Sequence, residues 1–416
     1  MTTATVPFRT LVRQDALLRR LLTVTLVDTV GRGAFFALTM LYLTTVVGIP
    51  AVRAGIGLTV AGAVGVVATL TFGHLADRWS SRRMLIVLHV IQGGALVAYL
   101  QVDDLLSLIV VASLVTLAQQ GGSSVRSAVI GRAFPGTERV RIRAVMRTAT
   151  NIGIAVGTSV AAIPLAIGTA GAYRVTMAAA GVLYLGSAVL LAGLPAARID
   201  ARPGGTPVPA DGPAAETRSP YRDRRFLALT VLSGLFAMQF AVYEIAVPLW
   251  VVRHTTAPDV LVSPLLLVNT ALVVALQVRL SRGTGTVRGA GRVMVHAGWL
   301  MAVACGLWAA AGQVPMVYAV VLLFAAATAH TLAEITSSAA GWSISFELAP
   351  ADRIGAYQGM YGTGYAVGAM AAPTVVTAAV TDLGATGWAL LAVLFLASAL
   401  GITAITRGHT APQTQS

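Results

Sequence analysis

The sequence predicts an all-α membrane protein with twelve transmembrane helices in two pseudo-symmetric six-helix domains, and three observations carry that expectation. Hydrophobic residues make up 56% of the chain and charged residues only 11%, whereas a water-soluble domain carries about 25% charge. Apolar runs of roughly 20 residues, the length that crosses about 30 Å of hydrocarbon, recur twelve times. After the sixth, residues 195–224, beginning PAARIDARPGGTPVPADG, are too polar to span and too rich in Pro, Gly and Ala to hold one fold.

Apolar runs bounded by Gly, Pro and charge place spans near 21–47, 54–75, 83–102, 105–131, 144–168 and 174–194. A second set lies near 226–252, 260–281, 293–312, 315–347, 354–380 and 386–406. The expected domains are thus a cytoplasmic N-terminal segment 1–20, a six-helix domain 21–194, a cytoplasmic linker 195–224, a six-helix domain 225–406 and a cytoplasmic tail 407–416. The first run reaches the full length of a span and lacks an obvious small-residue cleavage site, so it is expected to stay as the first helix. Residues 8–20, FRTLVRQDALLRR, read either as a short amphipathic helix on anionic lipid or as a solvated basic tail.

The net charge of +13 does not mark a nucleic-acid binder, because the arginines fall between apolar runs and not on a stripe with interleaved aromatics. They are topology signals. Arg9, Arg13, Arg19, Arg20, Arg78, Arg82, Arg83, Arg132, Arg139, Arg141 and Arg143 lie on one side in the first half. Arg198, Arg202, Arg218, Arg222, Arg224, Arg225, Arg279, Arg282, Arg288, Arg292, Arg353 and Arg407 join them. The opposite loops supply Arg53, Arg174 and Arg253, so the positive-inside rule puts both termini and the linker in the cytoplasm. The expected location is the inner membrane of a bacterium. Cys305 has no partner for a disulfide. The histidines do not cluster into a metal site, no cofactor is implied, and no phosphate-binding glycine loop marks an enzyme.

Between spans two and three stands Gly73-His-Leu-Ala-Asp77-Arg78-Trp-Ser-Ser-Arg82-Arg83, one acid and three arginines in a short turn. The loop resembles the signature of the major facilitator superfamily, with Ser80 or Ser81 in place of the usual second glycine. That resemblance implies the major facilitator fold and a cytoplasmic gate, in which Asp77 and Arg78 help lock the outward-facing state. From the residues themselves, Gly73 permits close helix approach and Asp77 can sit against the positive end of a neighbouring helix. The corresponding second-half loop, Arg279 to Arg288, keeps only basic charge and glycine. In span five, Asn151-Ile-Gly153-Ile-Ala-Val-Gly157-Thr158 resembles the antiporter signature, with Thr158 replacing its proline. The same small residues also let two helices touch.

An ionisable side chain at bilayer depth costs at least about 2.5 kcal/mol, so each one faces a cavity or a partner. Asp28 and Arg32 share a face of the first span, four residues apart; they form either a structural pair or a proton-exchanging acid with an arginine that tunes it. Glu244 in span seven is a further candidate proton carrier. His330 and Glu334, four apart in span ten, form either a proton relay or an internally hydrogen-bonded pair. Arg126 of span four, near Gln119, can attract an anionic group or partner Asp28. Arg32, Gln119, Asn151, Gln239, Asn269, Gln358, Tyr361 and Tyr365 are, with Arg126, candidate linings of the same substrate cavity.

Together these readings, with the resemblance to bacterial drug exporters in the first half, predict a secondary active transporter working by alternating access and exporting a small organic compound in exchange for protons. The expected partners are that substrate, protons and membrane lipid, with no nucleic acid, and the expected working unit is a monomer. A proton symporter importing a metabolite uses the same acids. A receptor or scaffold that has lost transport has little reason to bear the cost of Glu334.

Overall fold

The structure is a computed structural model and describes residues 15–134, 138–200 and 219–407, with residues 51, 52, 282 and 283 described by backbone alone. Among them are twelve helices long and apolar enough to cross a membrane, and no strand. We number them α1 (Ala16–Val46), α2 (Ala51–Arg78), α3 (Ser81–Gln101), α4 (Leu105–Ala133), α5 (Glu138–Ile167), α6 (Ala170–Ala192), α7 (Arg224–His254), α8 (Asp259–Leu280), α9 (Val287–Ala311), α10 (Met316–Glu347), α11 (Ala351–Asp382) and α12 (Gly384–Arg407).

The helices are longer than the apolar runs that reveal them. α5 starts at Glu138 and not near 144, and α9 at Val287 and not near 293. Hydropathy sees only the length in hydrocarbon, whereas Arg and Glu are good helix formers that carry a helix beyond it. Likewise α1 begins at Ala16, so the end of the expected N-terminal segment is helix. The rest of the proposed amphipathic stretch lies outside the described residues, as do 201–218 of the linker, Arg9, Arg13, Arg202 and Arg218, and 408–416 of the tail.

Polar residues set the helix starts. Asp15, Ser80, Thr169, Asp223 and Thr286 cap α1, α3, α6, α7 and α9 by accepting from backbone N–H groups of the first turn. Burial raises the Asp15 carboxyl pKa, but the Arg198 bonds and the Leu17 and Leu18 amides more than offset it, holding the group below its ordinary value.

The described chain falls into two compact units, residues 1–133 with 146–208, and residues 134–145 with 209–416. In the first, α2 packs along α4, α3 along α4 and α6, and α1 along α6. The second repeats that order: α8 on α10, α9 on α10 and α12, and α7 on α12.

The repeat is sharpest where backbones cross. A methyl group built on Gly153 would collide with Thr29, and one on Gly157 with the Val30 carbonyl, so α5 crosses α1 in direct backbone contact. In the second unit Gly364 meets the Thr230 carbonyl and Gly368 that of Gly234, so α11 crosses α7 in the same way. Thr29 and Gly33 of α1 thus answer to Thr230 and Gly234 of α7. Nine residues beyond each glycine comes a buried tyrosine, Tyr42 and Tyr243. Each tyrosine lies in a π-helical turn, Tyr42–Val46 and Val242–Ala246.

The apolar cores differ in kind. The first unit packs Phe35, Leu38, Tyr42, Tyr99, Tyr173 and Met177, with Phe35 edge-on to Tyr99 at 4.9 Å. The second gathers Trp250, Trp308 and Trp388, with the Trp250 indole N–H donating to the Trp308 carbonyl at 2.7 Å.

Gly153→Leu and Gly364→Leu should each cost at least the 1–3 kcal/mol typical of overpacking, read as a lowered unfolding temperature of purified protein. Gly94→Leu, where a methyl group meets no atom within 4 Å, should leave that temperature unchanged.

Candidate functional site

The loop after α2 is held within the first unit. The Arg132 guanidinium of α4 lies 3.8 Å from the Asp77 carboxylate and donates to the Ala76 carbonyl and the Ser81 hydroxyl. Ser80 donates to Asp200 at 2.7 Å, the Arg82 backbone donates to the other Asp200 oxygen at 3.3 Å, and the Arg82 side chain reaches the Ala192 carbonyl. Arg83 adds its backbone N–H to the Ser80 cap. Gly73 is buried, and Arg78 is exposed beside exposed Trp79. Neither Asp200 nor the Arg132–Asp77 contact was marked by the sequence pattern, because both partners come from distant turns.

Deep in the same unit, Asp28 of α1 is 3% exposed and meets side chains from two other helices. His89 of α3 places Nε2 at 2.8 Å from Asp28 Oδ2, and Arg126 of α4 lies 3.5 Å from the same oxygen. Arg126 also donates to Thr25 at 3.3 Å. The expected Asp28–Arg32 pair does not form. Arg32 makes no hydrogen bond or ion pair to Asp28 among the described residues and its buried Nε has no protein partner; its charge lies near the hydroxyl of Tyr184 on α6 and within electrostatic range of Arg126 and Asp28. The short Asp28 carboxylate bonds to α3 and α4, and the Arg32 charge stays within electrostatic range of it without a direct contact.

The bonding of His89 fixes a proton count. Its Nδ1 lies 2.7 Å from the Leu85 carbonyl oxygen, which can only accept, so Nδ1 carries hydrogen. Its Nε2 then meets Asp28 at hydrogen-bond distance, and that contact also needs a hydrogen. The pair is either imidazolium with carboxylate or imidazole with carboxylic acid, and in both forms it holds one proton more than a neutral ring beside a carboxylate. Asp28 Oδ1, buried, has no protein partner.

The second unit separates its candidates into two clusters. In one, Asn269 of α8 donates to Glu334 Oε2 at 2.8 Å and to Thr331 at 3.2 Å, while Gln239 of α7 donates to Ser337 at 3.2 Å. Gln239 sits where α7 loosens: the α-helix breaks after Ala237, resumes for Gln239–Ala241 and passes into the π-helical turn, presenting Glu244 as an exposed acid whose charged neighbour is Glu334. π-Bulges of this kind recur at functional sites. His330 does not bond Glu334. Its fully buried ring stands edge-on to Tyr243 at 4.9 Å, with the Gln239 backbone as its polar neighbour.

The other cluster surrounds Arg143, which belongs to this unit. Its guanidinium lies 5.5 Å from the ring centres of both Trp342 and Phe346 and donates to Gln358 at 3.2 Å; Gln358 in turn donates to Ser345 at 3.3 Å. Tyr361 and Tyr365 pack together at 5.3 Å beside it. Gln358, Tyr361 and Tyr365 therefore face an aromatic-caged arginine and not Glu334. Gln119 and Asn151, half-buried in the first unit, make no protein hydrogen bond.

Sequence reasoning missed His89, the closest partner of Asp28. The signal was present: a histidine and Gln92 interrupt an otherwise apolar span, and polar residues at that depth are expensive. Among the described residues no group of three His, Cys, Asp or Glu side chains is placed to hold a metal ion.

The comparisons agree with the architecture. The bacterial homologue of the iron transporter ferroportin in its outward-facing state superposes with a TM-score of 0.71 at 13% identity, covering 94% of this chain and 99% of that one. The human organic anion transporter MFSD10 (TETRAN) gives 0.69 at 14%, covering 93% and 100%; at such identities the likeness is one of fold. The uncharacterized MFS-type transporter YdeE of Escherichia coli (strain K12) is 26% identical over 137 residues, which span 33% of this chain and 35% of that relative. The model of the Major Facilitator Superfamily matches residues 21–373, and the chain belongs to that family of multi-pass membrane transporters.

Proposed function

We propose that this chain is a secondary active transporter working by alternating access, exporting a small organic compound in exchange for protons, with Asp28 as the proton-carrying acid. The reading takes residues 21–194 and 225–406 as its two six-helix domains, 195–224 as the linker, and the arginine-bearing loops and both termini as cytoplasmic in a bacterial inner membrane. The observation that carries it is the Asp28–His89–Arg126 arrangement. An imidazole and a guanidinium converge on one carboxyl oxygen, and in a medium of low dielectric they compete for it. Closer approach of Arg126 satisfies the carboxylate and frees the His89 proton. Withdrawal of Arg126, by a conformational change or by a substrate group that engages it, leaves the proton shared between Asp28 and His89. That exchange is what coupling requires.

One proton suffices energetically. An elementary charge moving through 100 mV releases about 2.3 kcal/mol, which sustains roughly a fiftyfold concentration ratio of an uncharged substrate. The export direction draws on the likeness of the Asp-bearing first helix and the Asn151–Gly157 run to drug exporters. Asp77, with Gly73, Arg78, Arg82 and Arg83, serves as the gate in this reading. Asn269 and Glu334 supply a substrate contact, with Gln239, Glu244 and His330 around it.

In bacteria lacking their own exporters, expression should lower the accumulation of at least one compound in a broad dye and drug panel, and a protonophore should abolish the effect. Asp28→Asn should remove proton-driven export while counterflow exchange in proteoliposomes persists. Export by Asp28→Asn at the wild-type rate excludes Asp28 as the carrier. His89→Gln should shift the pH dependence of export, and an unchanged profile removes His89 from the proton path. Glu334→Gln should raise KM about tenfold or more with kcat largely kept, the pattern of a lost binding contact; loss of kcat alone contradicts that role.

A further inference from the structure

At the arginine-bearing end of α9, Arg288, Arg292 and His296 follow one another at four-residue steps and so stack along one helix face. The last turn of α12 brings Thr403, Thr406 and Arg407 opposite them, and the six residues line an open pocket of about 510 Å³. Its floor is firm. A methyl group on Gly291 would collide with the Thr406 hydroxyl, and the Thr403 hydroxyl donates to the Gly291 carbonyl at 2.9 Å. Both hydroxyl hydrogens are used internally, Thr406 donating to the Thr403 carbonyl at 2.7 Å, so recognition falls to the cations. His296 bonds the Arg292 carbonyl through Nδ1 at 2.7 Å, which leaves Nε2 to face outward.

Two independent features point to a ligand. Three guanidinium groups surround the pocket, and none forms an ion pair or hydrogen bond with any described residue. Directly below, further along the same two helices, Trp299, Val303 and Leu400 are 56%, 52% and 47% exposed, an apolar surface continuous with the charged one. Topology requires only a count of positive charges. It does not require them to stack over a pocket with an apolar wall beneath.

We propose that this pocket binds the phosphate of an anionic phospholipid, with guanidinium forks on the phosphodiester oxygens and an acyl chain along Trp299, Val303 and Leu400. The site is separate from the transport residues and stands whether or not the export reading does. Basic residues near the surface contribute about 1 kcal/mol each toward an anionic lipid, so three arginines favour it over a zwitterionic lipid on the order of a hundredfold.

Native mass spectrometry of the full-length, delipidated protein tests this with phosphatidylglycerol, phosphatidylcholine and inorganic phosphate as separate ligands. One phosphatidylglycerol should bind far more tightly than phosphatidylcholine, and Arg288→Gln/Arg292→Gln should weaken it roughly twenty- to thirtyfold. Arg222→Gln/Arg224→Gln, an equal loss of charge elsewhere, should not. Arg288→Lys/Arg292→Lys keeps the charge count that insertion needs and should still lose several-fold, because lysine lacks the fork; it decides the matter if the glutamine variant does not fold. Wild-type lipid affinity in both pocket variants, or equal weakening in the control pair, overturns the site as general surface charge. Inorganic phosphate binding as tightly as phosphatidylglycerol overturns the lipid and leaves a free anion.

Discussion

A carboxylate at bilayer depth has no water to relax into, and Asp28 meets that constraint through groups from two other helices. Its oxygen takes His89 of α3 and Arg126 of α4, so three helices converge on one charge. The crossing of α1 by α5 at Gly153 and Gly157, one turn away, fixes where α1 lies in the unit. Tyr184, 6.1 Å from the His89 ring centre, closes the site from α6. The triad is costly to bury, and the two groups that meet the Asp28 oxygen offset that cost.

The second unit uses the same frame for different chemistry. Its threonine–glycine step on α7, its paired glycines on α11 and its π-helical turn repeat those of the first unit, yet Leu229 stands where Asp28 does, one residue before the threonine. Charge appears instead further along, at Glu244 and Glu334, with Asn269 as the neutral donor. One fold thus carries a cation-rich cluster in the first copy and an acid-rich cluster in the second. The packing residues repeat because close helix approach tolerates only small side chains, while the functional residues are free to diverge.

That distinction also explains what the sequence disclosed. The twelve helices were legible because each is local, a run of apolar residues long enough to span. Asp28, Arg126 and Glu334 were legible as expensive polar residues, and the one contact left open between helices, Arg126 with Asp28, is present. The pairings within one helix failed. Arg32 makes no direct bond to Asp28 but stays in electrostatic range of it, and His330 stacks edge-on to Tyr243, because a four-residue step permits contact without compelling it. His89 was overlooked because its role depends on which helix faces α1, and periodicity does not carry that information.

Infrared difference spectroscopy across a pH titration of the protein in liposomes tests the proposed sharing of one exchangeable proton by Asp28 and His89. A one-proton step is expected, with carboxyl and imidazole bands changing together, absent from both Asp28→Asn and His89→Gln. A titration identical in the wild type and both variants would contradict it.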